Sequence, residues 1–168
     1  MDALDRKTLS FLMVRGRGTW AELGKLLHLT APAAAERARK LEADGTIVGY
    51  AALTDPAKLG FPLTAYVSVT IGDQRKRSAF LRLVEKEPRI VECHHVAGED
   101  DYLLKIRCRG TRDLDRFLSE TLKDRIGVAR TRTTIVLSTR KETVSLPVAR
   151  PEPEHTAFSG GKSANALT

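Results

Sequence analysis

The chain is short of the residues that would mark several functional classes. It has two cysteines, Cys93 and Cys108, 15 residues apart in strand-like runs, which argues against a disulfide framework or a thiolate metal site and fits reduced thiols in a core. Of its 4 histidines, His94 and His95 are neighbours. Adjacent side chains on a strand leave opposite faces, so these two cannot ligate one metal ion. There is no nucleophile–His–acid arrangement, no phosphate-cradling glycine loop and no carboxylate cluster beyond one turn near Gly98, so an enzyme is not expected. No apolar run approaches bilayer length, and the N-terminus MDALDRKTL is charged where a secretion signal would be hydrophobic. The expectation is a cytoplasmic protein with no membrane partner, no metal and no cofactor.

What is present points to an acidic partner. The 168 residues are 42% hydrophobic, enough for one large domain or two small ones, and carry 28 Lys+Arg against 21 Asp+Glu, a net charge of +7. Residues 1–50 hold 8 basic against 6 acidic side chains and residues 61–140 hold 16 against 11. The excess is therefore not confined to one region, and any nucleic-acid surface has to be argued locally.

The strongest local pattern is TAPAAAERARKLEADG, residues 30–45. Thr30 can cap a helix start, Pro32 is tolerated in the first turn and Gly45 can take the left-handed stop. Ala34, Ala38 and Leu41 then recur inward at helical spacing, leaving Pro32, Ala35, Glu36, Arg39, Lys40 and Ala43 outward. Upstream, Thr19–Glu22 form a Thr-x-x-Glu capping box for a helix from Trp20 to about Leu27, with Leu23, Leu26 and Leu27 inward. Residues 2–14 read as an amphipathic first helix through Leu4, Leu9, Leu12 and Met13. A short helix, a tight turn at His28–Leu29 and a slim basic helix make the helix-turn-helix geometry that enters a major groove of double-stranded DNA. On that reading Arg39 and Lys40 reach phosphates or a guanine edge, Pro32, Ala33 and Ala35 meet thymine methyls, Glu36 accepts from cytosine, and Thr30 anchors the helix end. Arg17, in the loop Arg15–Gly18, either rests on a phosphate or is a solvated turn residue. Arg37 flanks the buried face, where a structural ion pair and a phosphate contact are equally open.

Thr46–Leu53 (TIVGYAAL) reads as a wing-like strand, and residues 51–61 as a hinge strand and linker. The periodicity then changes. Leu63–Ile71 alternates as a strand, Gln74–Glu87 is a helix, Arg89–Ala97 and Asp101–Arg109 are strands joined by a tight turn at Gly98–Asp100, Thr111 caps a second helix, and Arg130–Arg140 alternates again. The expected fold is α+β: a winged helix-turn-helix over residues 1–50, then a ferredoxin-like βαββαβ unit over residues 62–140 with both helices on one face of an antiparallel sheet. Aliphatic or aromatic residues on the other face would invite a second copy, since burial stabilises by roughly 25 cal/mol per Å². A homodimer also suits a helix-turn-helix protein reading two half-sites. Residues 141–168 read as a mostly unstructured tail, in which VSLPV could add an edge strand.

The turn Gly98–Glu99–Asp100–Asp101 offers backbone N–H groups and carboxylates, which an α-amino acid requires, but it reads at least as readily as a polar hairpin connection. Thr133 and Thr134 would add hydroxyls.

Taken together, Leu4–Asp5, Gly16–Arg17, Glu22–Leu23, Leu29–Thr30 with Ala33, the run from Arg37 to Tyr50, Glu92–Cys93–His94, Gly98 with DYLLK to Lys105, and Gly127–Leu137 resemble the Lrp/AsnC feast/famine transcription factors over about residues 1–140. The resemblance implies a dimer and a higher oligomer such as an octamer, bound to DNA and nucleoid-associated. It also implies a free amino acid as effector, held near His95 and the Gly98–Asp101 turn and facing Thr133 and Thr134 across an interface. Gly24 stands where relatives carry alanine or serine, and Ala34 and Ala38 where they carry larger aliphatics. Two other readings remain: a non-sensing architectural DNA-binding protein, and more remotely a heme-precursor decarboxylase on the same architecture, for which no further histidine or basic cluster speaks.

Overall fold

A computed structural model describes residues 1–148. The stretch 149–168, which holds most of the expected tail, lies outside the described residues. The chain divides into two compact units, residues 1–52 with 143–148 and residues 53–142.

The first unit is three helices, α1 (Ala3–Val14), α2 (Trp20–Leu27) and α3 (Ala31–Ala43). The start signals read for α2 and α3 act as expected, and a further one appears at α1. Asp2 and Asp5 form a reciprocal capping box at α1, Thr19 and Glu22 do so at α2, and the Thr30 hydroxyl accepts from the Ala33 N–H. Gly45 sits at φ +78°. Phe11, Leu23, Leu27 and Ala34 form the core. The turn between α2 and α3 is reached through His28 in the left-handed conformation, φ 56°, and its backbone folds back on Gly24. A Cβ on Gly24 would lie 2.7 Å from the Leu29 carbonyl oxygen and 3.3 Å from the Ala31 nitrogen. Gly24→Ala gains up to ~1 kcal/mol of helix propensity but forces this backbone apart, an overpacking cost of about 1–3 kcal/mol. The clash wins because the obstacle is backbone. A lower melting temperature of the helical unit is expected by calorimetry, and a rise would overturn the argument.

Three expectations fail here. Ala35 is not outward but buried, at 5% exposure. Helix α3 packs on both α1 and α2, so its inward stripe widens to Ala31, Ala34, Ala35 and Ala38, the i, i+3, i+4, i+7 set. Leu26 is 46% exposed rather than inward, because α2 turns Leu23, Gly24 and Leu27 to the core. Thr46–Leu53 forms no strand: it meets no ladder partner, and Val48 is 97% exposed.

The second unit is a four-stranded antiparallel sheet of β1 (Leu63–Thr70), β2 (Ile90–His95), β3 (Tyr102–Cys108) and β4 (Arg130–Ile135), ordered β2-β3-β1-β4. A 3-10 turn, Gln74–Lys76, leads into α4 (Arg77–Lys86). Helix α5 (Thr111–Arg116) widens into a π-helical run, Phe117–Ile126, ended by Gly127 at φ 72°. Phe80 from α4 and Leu114, Phe117 and Leu122 from the second helix pack with Ala65, Val67, Val69, Tyr102, Leu104, Ile106 and Cys108 on one sheet face. This is the expected βαββαβ arrangement. Strand β4 stops at Ile135. Thr111 is the first residue of α5 rather than its cap, and Gly110 before it has no side chain to close the helix start. No strand forms in the VSLPV stretch.

The open face differs from expectation. Thr64, Tyr66, Ser68 and Thr70 of β1 lie beside Arg107, Lys105, Leu103, Arg132 and Thr134 by register, so it is largely polar. Glu142, seven residues beyond β4, pairs with Lys105 and with Arg107 (2.9 Å). Both cysteines are free, and burial pushes the Cys108 thiol up to about 11, so it is not a thiolate at neutral pH.

At the same end of the sheet as Cys108, Arg89 bridges Glu87 (2.7 Å) and Asp113 (3.0 Å) and stacks on Phe117. The Arg89 hydrogen bond holds the Glu87 carboxyl below the ordinary glutamate range, and the Arg109 backbone N–H, then Arg89, holds Asp113 down. A depressed folded value contributes stability that is complete above the ordinary carboxylate range, about pH 4–4.5, and is lost as pH falls through the folded values. Arg89→Gln should therefore lower the melting temperature at pH 7 and flatten its fall between about pH 4.5 and 3. An unchanged acid limb would show that the bridge is not what titrates.

Candidate nucleic-acid interface and effector turn

On α3, Thr30, Pro32, Ala33, Glu36, Arg39 and Lys40 are exposed together, because the inward stripe has taken Ala34, Ala35, Ala38 and Leu41. Arg39 pairs with Glu36 one turn away. Arg17 is exposed in the loop before α2. Arg37 is placed elsewhere: its guanidinium lies 2.6 Å from Asp2 and 2.5 Å from Asp5. These carboxylates keep Arg37 above its ordinary value, and the bridge ties α3 to the start of α1. Of the two open roles, the structure shows the ion pair. The face left for a groove is Pro32, Ala33, Glu36, Arg39 and Lys40, flanked by Thr30.

In the second unit the Gly98 turn is wider than a tight hairpin, running from Val96 to Asp101 with Gly98 at φ +139°. Two of its three acids are engaged. The Asp101 carboxylate accepts from the Ile71 N–H at 2.6 Å. Asp100, whose side chain is 6% exposed, accepts from the Thr70 hydroxyl (3.1 Å) and from Arg132 (2.6 Å), with Arg130 at 3.4 Å. Arg132 also stands 3.8 Å from Glu99, whose side chain is 78% exposed. The turn is thus stapled to the end of β1 and the start of β4, and Glu99 is its carboxylate facing solvent.

The other expected effector residues are not gathered. His95 lies opposite Tyr102 on β2, ring centroids 5.2 Å apart, at one edge of the sheet. Thr133 and Thr134 pair with Val67 and Tyr66 on β4, at the other edge. Three partners went unread in the sequence: Arg130 and Arg132, and Arg77, whose Nε donates to the Tyr102 hydroxyl at 2.7 Å. The alternation Arg130-Thr131-Arg132 was the available signal, since it puts both guanidiniums on one face.

Known proteins match both units. Residues 1–42 match the AsnC-type helix-turn-helix domain and residues 64–146 the Lrp/AsnC ligand binding domain. The chain belongs to the Lrp/AsnC family. The Leucine-responsive regulatory protein of Escherichia coli K12 is 37% identical over 150 residues, covering 88% of this chain and 92% of that protein. The HTH-type transcriptional regulator FL11 of Pyrococcus horikoshii is 34% identical over 148 residues, covering 88% and 97%. Among solved structures, a Neisseria meningitidis transcriptional regulator in an L-Met complex superposes with TM-score 0.83 at 32% identity, covering 88% and 96%. The Mycobacterium tuberculosis feast or famine regulatory protein complexed with L-methionine gives 0.79 at 32%, covering 86% and 97%. This Lrp/AsnC chain is a DNA-binding transcriptional regulator whose helix-turn-helix domain spans residues 1–42. Among the described residues, no helix is long and apolar enough to cross a membrane, and no group of three or more His, Cys, Asp or Glu could hold a metal ion.

Proposed function

We propose that this Lrp/AsnC protein reads two DNA half-sites as a homodimer or higher oligomer and is switched by a free amino acid held at the Gly98–Asp101 turn. The observation that carries the sensing half is the locked turn: Asp100 and Asp101 are spent on Arg132, Arg130 and the Ile71 N–H, leaving the Gly98 backbone and the solvent-facing Glu99, which only Arg132 approaches at 3.8 Å, to meet a ligand. These are groups that can meet the carboxylate and ammonium of one small zwitterion. The L-Met complexes of two structural neighbours support the ligand class. His95 lies at one edge of the sheet and β4 at the other, and Thr133 and Thr134 leave opposite faces of β4, so a pocket joining His95 with either threonine takes them from different copies. The unpaired Thr46–Leu53 segment, with Val48, Tyr50 and Leu53 exposed, supplies strand-forming surface for the same association.

An effector changes DNA binding only through differential affinity for two assemblies. Titration calorimetry against the twenty amino acids, methionine first, combined with footprinting of the gene's own upstream region, tests this. Heat from at least one amino acid and a shifted footprint are expected. A footprint with no response to any of them would favour the architectural reading, in which the protein packages DNA without sensing.

A further inference from the structure

The excess positive charge of this chain does not reside on its reading unit. Residues 1–45 hold 8 Lys+Arg against 6 Asp+Glu, whereas the two helix-layer segments of the second unit, residues 74–89 and 109–127, hold 11 against 6. Of the acids on these segments, Glu120 is met by Arg116, and Glu85, Asp115 and Asp124 are exposed and, among the described residues, make no ion pair. Glu87 and Asp113 are taken by Arg89, and the acids Glu92, Asp100 and Glu142 are taken by strand cations. Arg82, Lys86, Arg112, Lys123 and Arg125 are exposed and, among the described residues, make no ion pair. Lys76 donates to the Gly127 carbonyl at 3.0 Å and Arg89 meets Asp113 at 3.0 Å. The start of α4 therefore lies beside the end of the π-helical run, and the end of α4 beside the start of α5. The free cations thus occur at both ends of one two-helix surface. At the α5 end, Arg109, Arg112 and Arg116 line a shallow cleft of about 340 Å³.

We propose that this helix layer is a second, sequence-independent contact for duplex DNA, gripping the phosphate backbone while α3 reads bases. It rests on the reading of α3 as the base-contacting helix. Thr111–Ile126, whose π-helical part rises less per residue than an α-helix, extends roughly 20 Å, along which one strand of a duplex presents about six phosphates. Two such layers, each carrying a net positive charge, repel one another, which disfavours this face for association of copies. A polyanion is the partner whose charge fits, and duplex DNA is the polyanion this regulator already binds. Each protomer would then hold DNA at two places, lengthening its path on the assembly.

The test is the intact protein carrying Arg82→Gln, Lys86→Gln, Arg112→Gln and Lys123→Gln together. It is measured on a random duplex and on a fragment that the wild type enriches from a random library. Each phosphate that the variant no longer neutralises should flatten the slope of log affinity against log salt by about 0.9, so a change of about two or more per protomer, and at least tenfold weaker random-duplex binding near 0.15 M salt, is expected. The preference ratio for the enriched fragment should stay within about threefold, since phosphate contacts carry no sequence information. An unchanged salt slope overturns the proposal. So does a slope that changes on single-stranded RNA or polyglutamate but not on the duplex, which would name another partner. If the fourfold variant melts early, Lys86→Gln with Lys123→Gln gives the same readout at half the size. Arg39→Glu, run alongside, separates the two failures: if it keeps its preference for the enriched fragment, the α3 reading falls, whatever the helix-layer slope shows.

Discussion

Arg39→Glu should abolish operator binding while leaving the protein folded. The side chain is 63% exposed and its partner Glu36 54% exposed. An exposed pair one helical turn apart is worth at most about 0.5 kcal/mol, so the melting temperature should hardly move. On DNA the change counts twice in the proposed dimer, once per reading helix. Removing a hydrogen bond to a base or a phosphate costs about 1–3 kcal/mol, and the new carboxylate adds repulsion from the backbone, so affinity should fall at least about 100-fold. Arg37→Gln is the informative contrast. Its guanidinium is turned to Asp2 and Asp5, so its loss should lower the melting temperature of the helical unit and leave the affinity of the folded fraction near wild type. Gel shifts and melting curves on the two variants, side by side, decide the matter. If Arg37→Gln loses DNA binding without loss of stability, and Arg39→Glu does not, the assigned reading face is wrong.

The contrast also shows which parts of this molecule a sequence discloses. The starts of α2 and α3 were legible because each cap is closed within four residues, Thr19 to Glu22 and Thr30 to Ala33, whereas the Asp2–Asp5 box of α1 was not read. The strands were legible because alternation belongs to the chain itself, as in Ala65, Val67 and Val69. What failed depends on neighbours distant in sequence. Ala35 has the composition of a groove contact and is buried because α3 is packed by two helices rather than one. Thr46–Leu53 has strand-forming residues and lacks a partner strand in one chain. The open sheet face could not be judged apolar or polar without the register that sets Tyr66 beside Lys105 and Ser68 beside Arg132. At the Gly98–Asp101 turn, the acids were visible but their fate was not. Asp100 meets Arg132 across 32 positions, and only the strand order, which places β1 between β3 and β4, brings the hairpin tip to the first residues of β4.

Asp100 is accordingly where the second large effect is expected. Removing one member of a buried ion pair costs about 3–5 kcal/mol when the partner charge is left stranded. Here the guanidiniums of Arg130 and Arg132 are both more than half exposed and can turn to water. What Asp100→Ala loses is the charge-assisted hydrogen bond to Arg132 and the bond from Thr70, about 2–3 kcal/mol after solvent compensation. Asp100→Asn keeps the shape and one acceptor and should lose about half of that. The functional consequence is larger than the thermodynamic one. With the staple gone, the Gly98 backbone and Glu99 are no longer held against β4, and a binding site set a fraction of an ångström loose loses most of its preorganised affinity. Amino-acid binding by calorimetry should weaken at least about tenfold, and the footprint should stop responding to it. Effector-free affinity for DNA should stay near wild type, because α3 lies in the other unit. Retention of both the melting temperature and the response in Asp100→Ala would mean that the acidic turn is a solvated connection and that the effector, if one binds, sits elsewhere.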